Sequence, residues 1–220
     1  GRPVGDGPDG HSLWPGFTNV PNEFIESYFP LRIERYETIP DSGGAGLHRG
    51  GNGLSVAYRF LCDGEIGIHD ERWLMYPWGV LGGETGQRST KRMVRVDGSE
   101  QWLPAKAEGI KVREGDLLYF NTWGGGGWGD PFQRDPELVR QDVDRRLVTA
   151  AGARRYGVVI DDDGAVDMAA TEALRGELVA ARGEDIDLFN FGGDVEDIRQ
   201  RCESETHLPA PEKPTFIAGS

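Results

Sequence analysis

The chain has 220 residues, of which 37% are hydrophobic and 10% aromatic, so it can bury the core of one large domain or two small ones. Its formal net charge of −13 argues against nucleic acid and anionic membranes as partners, because both attract positive surfaces. We recognise neither an apolar run of membrane-spanning length nor a signal peptide, and two cysteines are too few for a disulfide framework. We therefore expect a cytoplasmic protein.

The first part of the chain predicts a connector, a helix and a strand. Residues 1–10 are rich in Gly and Pro and predict an exposed connector. Because the chain opens on Gly1 rather than Met, we expect a processed terminus, a cleavage product or an excised portion. A short helix is predicted from Asn22 to Tyr28 with Asn22 as its cap, followed by a strand from Leu31 to Glu37.

Short strand patterns recur between residues 54 and 122, separated by Gly and Pro. The runs Ile110 to Val112 and Leu117 to Asn121 flank a Glu114-Gly115-Asp116 turn and predict a hairpin. Such spacing favours a sandwich or barrel-like β-region over a doubly wound sheet.

After residue 132 the pattern becomes helical. Helices are predicted to start at Asp135 and at Asp167, each as a capping residue, and also at Thr149 and at Asp194. A two-stranded ribbon is predicted from Tyr156 to Ile160 and from Ala165 to Val166. The fold class is therefore α+β, with a β-rich sandwich or barrel-like region followed by small helices and a ribbon. The predicted parts are a connector (1–10), a β-rich glycine-loop domain (11–132), a helical region (133–208) and a Pro-rich tail (209–220).

The densest glycine run lies between two tryptophans and is followed by an acidic residue: Gly124, Gly125, Gly126, Gly127, Trp128 and Asp130. Glycine is retained in an ordered segment where φ is positive, or where another backbone or a ligand comes too close for a Cβ. The tryptophans favour an ordered loop at a functional or subunit-contact surface. A tight connection without a chemical role is an equal alternative.

Few side chains stand out as chemical candidates, and the Walker A, GxSxG and HExxH motifs are missing. His69, Asp70 and Arg72 are of types that perform general acid–base work or hold an anionic oxygen, although a charge network at a strand end is the favoured interpretation. His48 and Arg49 lie between two glycine clusters, where they could bind a carboxylate or phosphate or simply form a turn. His11, after the Gly-rich opening, suits a pocket wall or a solvent-facing position.

Taken jointly, several segments resemble the C-terminal part of the hydantoinase B/oxoprolinase family. The similar segments are Asp9 to Ser12, Tyr28 to Tyr36, Asp41 to Gly46, His48 to Gly53, Pro77 to Gly79 with Gly82-Gly83, Gly124 to Pro131, Arg134 to Pro136 and Arg155 to Val159. They extend over roughly residues 9–160. The segments from His69 to Trp73 and from Pro77 to Gly83 are most similar to the acetone and acetophenone carboxylase branch.

The resemblance implies a multi-subunit, ATP-dependent enzyme. In this family a hydantoinase A-type partner binds ATP and Mg and phosphorylates a carbonyl or lactam oxygen, and the B-type component completes the reaction. The resemblance further implies an N-terminal half of the B-type subunit, a segment associated with a divalent metal in some relatives. We therefore expect ATP, Mg and any metal to be bound by other polypeptides and none by this chain, with the partners forming a hetero-oligomer.

Three functions remain open from the sequence. The first is a B-type subunit of a cyclic amide hydrolase, with His69, Asp70 and Arg72 catalytic, with His11, His48 and Arg49 binding substrate or anion, and with the glycine run shaping the loop. The second is a subunit of an ATP-dependent ketone carboxylase. The third is a non-catalytic structural subunit. In each case we expect the isolated chain to be inactive.

Overall fold

The computed structural model describes residues 1–11, 20–183 and 186–212. Within these ranges the chain has five α-helices, nine β-strands and two 3₁₀ helices. The α-helices are α1 (Asn22–Tyr28), α2 (Pro136–Asp144), α3 (Ala150–Ala153), α4 (Met168–Arg182) and α5 (Val195–Thr206). The strands are β1 (Leu31–Thr38), β2 (Leu54–Phe60), β3 (Gly64–His69), β4 (Gly79–Val80), β5 (Thr90–Val94), β6 (Glu100–Trp102), β7 (Lys106–Val112), β8 (Leu117–Asn121) and β9 (Phe189–Asn190).

Five strands form one antiparallel sheet in the order β1-β2-β8-β5-β6. β3 pairs with β7 in a two-stranded ribbon, and β4 pairs with β9 in another. The predicted hairpin between Ile110–Val112 and Leu117–Asn121 is wrong. The intervening turn carries the chain from the β3–β7 ribbon into the large sheet, so β8 pairs with β2 and β5 rather than with β7.

The main β core lies between the five-stranded sheet and the β3–β7 ribbon. Its buried side chains come from both layers: Phe60, Ile68, Met93, Leu103, Val112 and Leu118. Met93 and Leu118 are direct cross-strand partners, which places two large apolar groups side by side on the inner face. This sandwich-like arrangement, followed by helices, confirms the α+β prediction.

The helices begin where the sequence predicts them to begin. Asp135, Asp167 and Asp194 each accept a hydrogen bond from a backbone N–H in the first turn of the helix that follows. Thr149 caps α3 in the same way, and a 3₁₀ turn at Arg154–Tyr156 extends it. The Asn22 cap is wrong, because Pro21 takes the N-cap position of α1 and no side chain caps that end.

A second core lies under the helices. Its buried residues are Ala45, Val139, Val148, Ala153, Tyr156 and Val158. Ala45 comes from the glycine-rich part of the chain, so the helical region and the glycine-rich loops share one interior. The predicted ribbon after Tyr156 is reduced to a single bridge between Ile160 and Val166, closed by a turn from Asp161 to Gly164.

Within the described ranges, none of the helices has both the length and the hydropathy needed to cross a bilayer. The domain boundaries at residues 132 and 208 stay a prediction. The tail from 209 lies mostly outside the described residues, as does the segment 12–19 that follows His11.

Candidate functional site

Four stretches of backbone hydrogen-bond to one another; we call them the glycine layer, made of residues 1–10, 42–53, 77–87 and 124–129. The N–H of Gly44 donates to the carbonyl of Gly125 at 2.8 Å, and the N–H of Gly125 donates to Gly51 at 2.7 Å. The N–H of Gly127 donates to Glu84 at 2.8 Å. The glycine clusters, separate in sequence, therefore form one structural unit.

Close approach, not unusual backbone torsion, explains the four-glycine run. None of Gly124 to Gly127 has a positive φ. A Cβ added to Gly126 would overlap the carbonyl oxygen of Trp78. Gly125 has more room, since the nearest atom to an added Cβ is the amide nitrogen of Gly51 at 3.2 Å. Backbone lies against backbone here, so the run is an ordered packing element.

His48 and Trp128 lie within the glycine layer. The N–H of His48 donates to the Trp128 carbonyl at 2.9 Å, and the Trp128 N–H donates back at 3.0 Å. Their rings stack with centroids 5.6 Å apart. The bare backbone is thus flanked by one imidazole–indole pair, which fixes the position of His48.

Beside the glycine layer lies a charge cluster that we call the ion-pair network, made of Asp6, Asp9, Arg49, Arg134 and Asp142. Arg49 donates to Asp9 at 2.8 Å, and Arg134 donates to Asp6 at 2.7 Å and to Asp142 at 2.8 Å. Arg49 is only 3% exposed. These contacts tie the first residues of the chain, the loop after His48 and helix α2 together.

The carboxyl groups of the network differ in pKa. Burial would raise the pKa of Asp6, but hydrogen bonds from Arg134 outweigh it and hold that pKa below its usual value. For Asp142 burial dominates and raises the pKa, although the charge of Arg134 opposes the shift. The two acids are thus in different electrostatic environments although they share one arginine.

Asp130 fixes the end of the glycine layer. Its carboxylate accepts two hydrogen bonds of 2.9 Å from Arg182, at the end of α4, and one from the N–H of Phe132. Burial would raise the pKa of Asp130, but the Arg182 hydrogen bonds lower it overall. The predicted loop-shaping residue therefore connects the loop to the helical region.

The structure places His69, Asp70 and Arg72 in three different environments. His69 is exposed and contacts Glu108. Asp70 is buried and forms an ion pair with Lys91. Arg72 is half-buried, has a φ of 55° and lies with its guanidinium 5.7 Å from the Trp78 ring centroid. Of these three residues, Arg72 has a partly exposed cationic group that also lies against an aromatic ring.

Lys91 is a residue that sequence reasoning missed. Its side chain is fully buried in β5, and its ammonium group donates to the hydroxyl of Ser89 at 3.1 Å. Burial lowers the pKa of Lys91, while the hydrogen bond with Asp70 opposes the shift. The backbone N–H of Ser89 donates to the Arg72 carbonyl at 3.1 Å, so the start of this strand holds the Arg72 loop.

Arg155 belongs to one of the segments that resemble the family, and the structure places it against the glycine layer. It donates to Glu84 at 2.7 Å and to the carbonyls of Asp41 and Gly43 at 2.8 and 3.2 Å. No periodic pattern could have marked it, because its acceptors lie more than a hundred residues away or in another loop. His11 lies exposed at the edge of the described residues.

The acidic side chains in and around the glycine layer pair with arginines. Within the described ranges, no cluster of three or more His, Cys, Asp and Glu side chains is arranged to hold a metal ion. The three aspartates of the network face two arginines instead.

Comparison of the sequence with known protein families identifies the family of this chain. The family model for hydantoinase B/oxoprolinase matches residues 1–131, which is more than half of the chain. The chain belongs to the hydantoinase B/oxoprolinase family.

Two relatives are each 33% identical to this chain over the aligned residues, and one of them is also similar in structure. The B-type component of a putative D-/L-hydantoinase from Pseudomonas sp. strain NS671 is 33% identical over 178 residues, covering 80% of this chain and 30% of the relative. The crystal structure of the ATP-dependent caprolactamase from Pseudomonas jessenii matches with a TM-score of 0.63 and 33% identity, covering 71% of this chain and 28% of that chain. The chain thus spans less than a third of these relatives.

A third similarity concerns the fold alone. The nucleotide-free structure of an acetone carboxylase matches with a TM-score of 0.68 over 82% of this chain and 29% of that chain. Its sequence identity is 23%, so it supports the architecture of the described chain and no more.

Proposed function

We propose that the chain forms part of the B-type subunit of an ATP-dependent enzyme that hydrolyses a cyclic amide. The observation that carries this proposal is the 33% identity, over most of the chain, to the B-type component of a putative hydantoinase and to a solved ATP-dependent caprolactamase. The similarity to acetone carboxylase reaches only 23% identity, so ketone carboxylation is the weaker alternative.

The proposed division of labour follows from lactam chemistry. A lactam carbonyl is a poor electrophile, and phosphorylation of its oxygen activates the ring carbon for the addition of water. The ring C–N bond then breaks with the nitrogen leaving as an amine, and a second water hydrolyses the resulting acyl phosphate to the acid and phosphate. In our proposal a hydantoinase A-type partner binds ATP and Mg and performs that activation. The remainder of the B-type polypeptide holds any divalent metal, and this chain contributes a wall of the chamber in which water opens the ring.

The glycine layer suits such a wall. Its backbones lie against one another without side chains between them, and the ion-pair network holds it from one side. In our proposal His48 and Arg49 position this loop, since both are bound within it. His11 and His69 are exposed and stay candidates for contact with substrate, while Asp70 acts from the interior through Lys91.

Arg72 is the side chain that we propose to contact the substrate or a catalytic water. Replacing Arg72 with alanine is expected to lower turnover of the assembled enzyme by more than about tenfold, or about 1.4 kcal/mol in activation free energy. Arg72 lies over the face of Trp78 and outside the ion-pair network, so assembly is measured on the same preparations by size-exclusion chromatography, and the loss of turnover is expected in the assembled fraction. Steady-state turnover of a cyclic amide, with ATP, measures the effect.

Arg35 provides a matched control for this experiment. It also places its guanidinium over an aromatic ring, 5.5 Å from the centroid of Tyr119, but on the large sheet. Arg35→Ala should retain full turnover. Unchanged turnover in Arg72→Ala would refute the role of Arg72. In a separate triple variant, His11, His48 and His69 are all replaced by alanine. Full activity of that variant would favour the structural-subunit hypothesis.

A further inference from the structure

Three exposed aromatic side chains form a continuous surface on the β4–β9 ribbon; we call Trp78, Phe189 and Phe191 the aromatic patch. Trp78 lies edge-on to Phe191 with ring centroids 5.0 Å apart, and Phe189 lies 6.0 Å from Phe191. The three residues are 46%, 46% and 42% exposed. Contiguous exposed aromatic groups mark interaction surfaces, and tryptophan in particular carries binding energy at interface centres.

Arg88 anchors the chain segments that adjoin the aromatic patch, namely Tyr76 before Trp78 and helix α5 after Phe191. β9 is followed by α5, which is anchored by the fully buried side chain of Arg88. Arg88 donates to Glu205 of α5 at 2.6 Å, to the Tyr76 hydroxyl at 2.7 Å and to the Ile198 carbonyl at 3.0 Å. The patch is therefore pre-organised, which lowers the entropy cost of covering it.

The patch also adjoins the glycine layer and Arg72. The carbonyl of Trp78 is the group against which Gly126 packs, and the indole ring of Trp78 lies under the Arg72 guanidinium. A partner that covers the aromatic patch would therefore lie beside both the glycine run and Arg72, the side chain that we propose to contact the substrate.

We propose that the aromatic patch is the docking surface for the remainder of the B-type polypeptide, an inference that rests on the proposed function. The chain spans 30% of the B-type hydantoinase component and 28% of the caprolactamase chain that it matches. In those relatives the equivalent region is covalently joined to the other two thirds of the chain, which raises its local concentration at any complementary surface.

Charge disfavours a second copy of this chain as the occupant. Two copies that each carry a net charge of −13 repel each other. The three half-exposed aromatic side chains offer roughly 300 Å² of surface, less than the ~800 Å² that a stable interface buries on each partner, so in our proposal the aromatic patch is one part of a larger contact.

A photoreactive side chain tests the proposal directly. p-Benzoylphenylalanine is placed at Phe189 in the full chain, expressed in the cells that naturally produce it, and cross-linked peptides are identified by mass spectrometry. The matched control is Phe24, which is 48% exposed and likewise stacks on a neighbouring aromatic ring, that of Tyr28. We expect a cross-link from position 189, and not from 24, to a hydantoinase B-type sequence outside this chain.

Every other outcome overturns the proposal. These outcomes are a cross-link from position 189 to a second copy of the chain, a cross-link to an A-type polypeptide, and a cross-linking yield at position 189 that is no higher than at position 24. As a second measurement, the chain and the B-type remainder are produced as two separate polypeptides. Phe189→Ser should then reduce co-purification of the remainder at least tenfold, while Phe24→Ser should leave it unchanged. Equal recovery with both variants contradicts the proposal. Because neither readout depends on turnover, a failure here is distinguishable from failure of the proposed reaction.

Discussion

Replacing Gly126 with alanine is expected to lower the free energy of unfolding by at least about 3 kcal/mol, the upper end of what overpacking costs. The reason is steric: the new Cβ would overlap the carbonyl oxygen of Trp78, and a backbone atom cannot rotate away as a side chain can. Relief would require the 77–87 and 124–129 stretches to separate, which would break hydrogen bonds such as that from Val80 to Gly127. Urea unfolding of the chain, followed by circular dichroism, measures the change.

Two further glycines provide controls for this substitution. Gly125 lies in the same run but leaves an added Cβ 3.2 Å from its nearest neighbour, so Gly125→Ala should cost much less than Gly126→Ala. Gly176 lies in the middle of α4 with no atom within 4 Å of an added Cβ apart from its chain neighbours and its own helix backbone, and alanine there should stabilise the chain by roughly 0.8 kcal/mol through helix propensity. Equal effects at Gly126 and Gly125 would show that the backbones do not pack as described.

Replacing Arg134 with methionine is expected to destabilise the chain by about 3–5 kcal/mol, the cost of removing one partner from a buried ion pair. The Arg134 side chain is 2% exposed and binds Asp6, Asp142 and the carbonyl of Leu47. Methionine preserves much of the side-chain volume, so the loss reports mainly on the unpaired carboxylates. Urea unfolding at neutral pH provides the measurement.

Arg140 in the same region is the matched control. It forms ion pairs with Glu137 and Asp144 along the solvent-facing side of α2. Such exposed pairs contribute little to stability, so Arg140→Met should change the unfolding midpoint far less than Arg134→Met. A similar change in both variants would mean that the ion-pair network does not hold the glycine layer.

Local signals in the sequence were sufficient for much of the fold. Aspartates at positions 135, 167 and 194 satisfy backbone N–H groups a few residues away, so the sequence predicted where α2, α4 and α5 begin. The hairpin after Ile110 failed because strand pairing depends on distant partners. β8 pairs with β2 and β5, which come from earlier, non-adjacent parts of the chain. The turn between β7 and β8 only joins the β3–β7 ribbon to the large sheet.

The candidate site was less predictable for the same reason. The glycine run indicated close backbone contact, but only the structure shows that Trp78, Ser42 and Ala45 supply it. The residues around Lys91 in the sequence give no sign that it is buried. Its ammonium group is buried in an ion pair with Asp70, which directly follows β3 and lies far from Lys91 in the sequence. The aromatic patch likewise joins Trp78 to two phenylalanines that lie more than a hundred residues later in the chain.

The most direct test of the account is reconstitution with and without this chain. The A-type polypeptide and the remainder of the B-type polypeptide, each produced separately from this chain, are combined with ATP and a cyclic amide, and ATP consumption and ring opening are followed together. We predict that both are coupled only when this chain is present, and that the chain alone is inactive. Ring opening at the full rate by the isolated chain, or by the other polypeptides without it, would contradict the account.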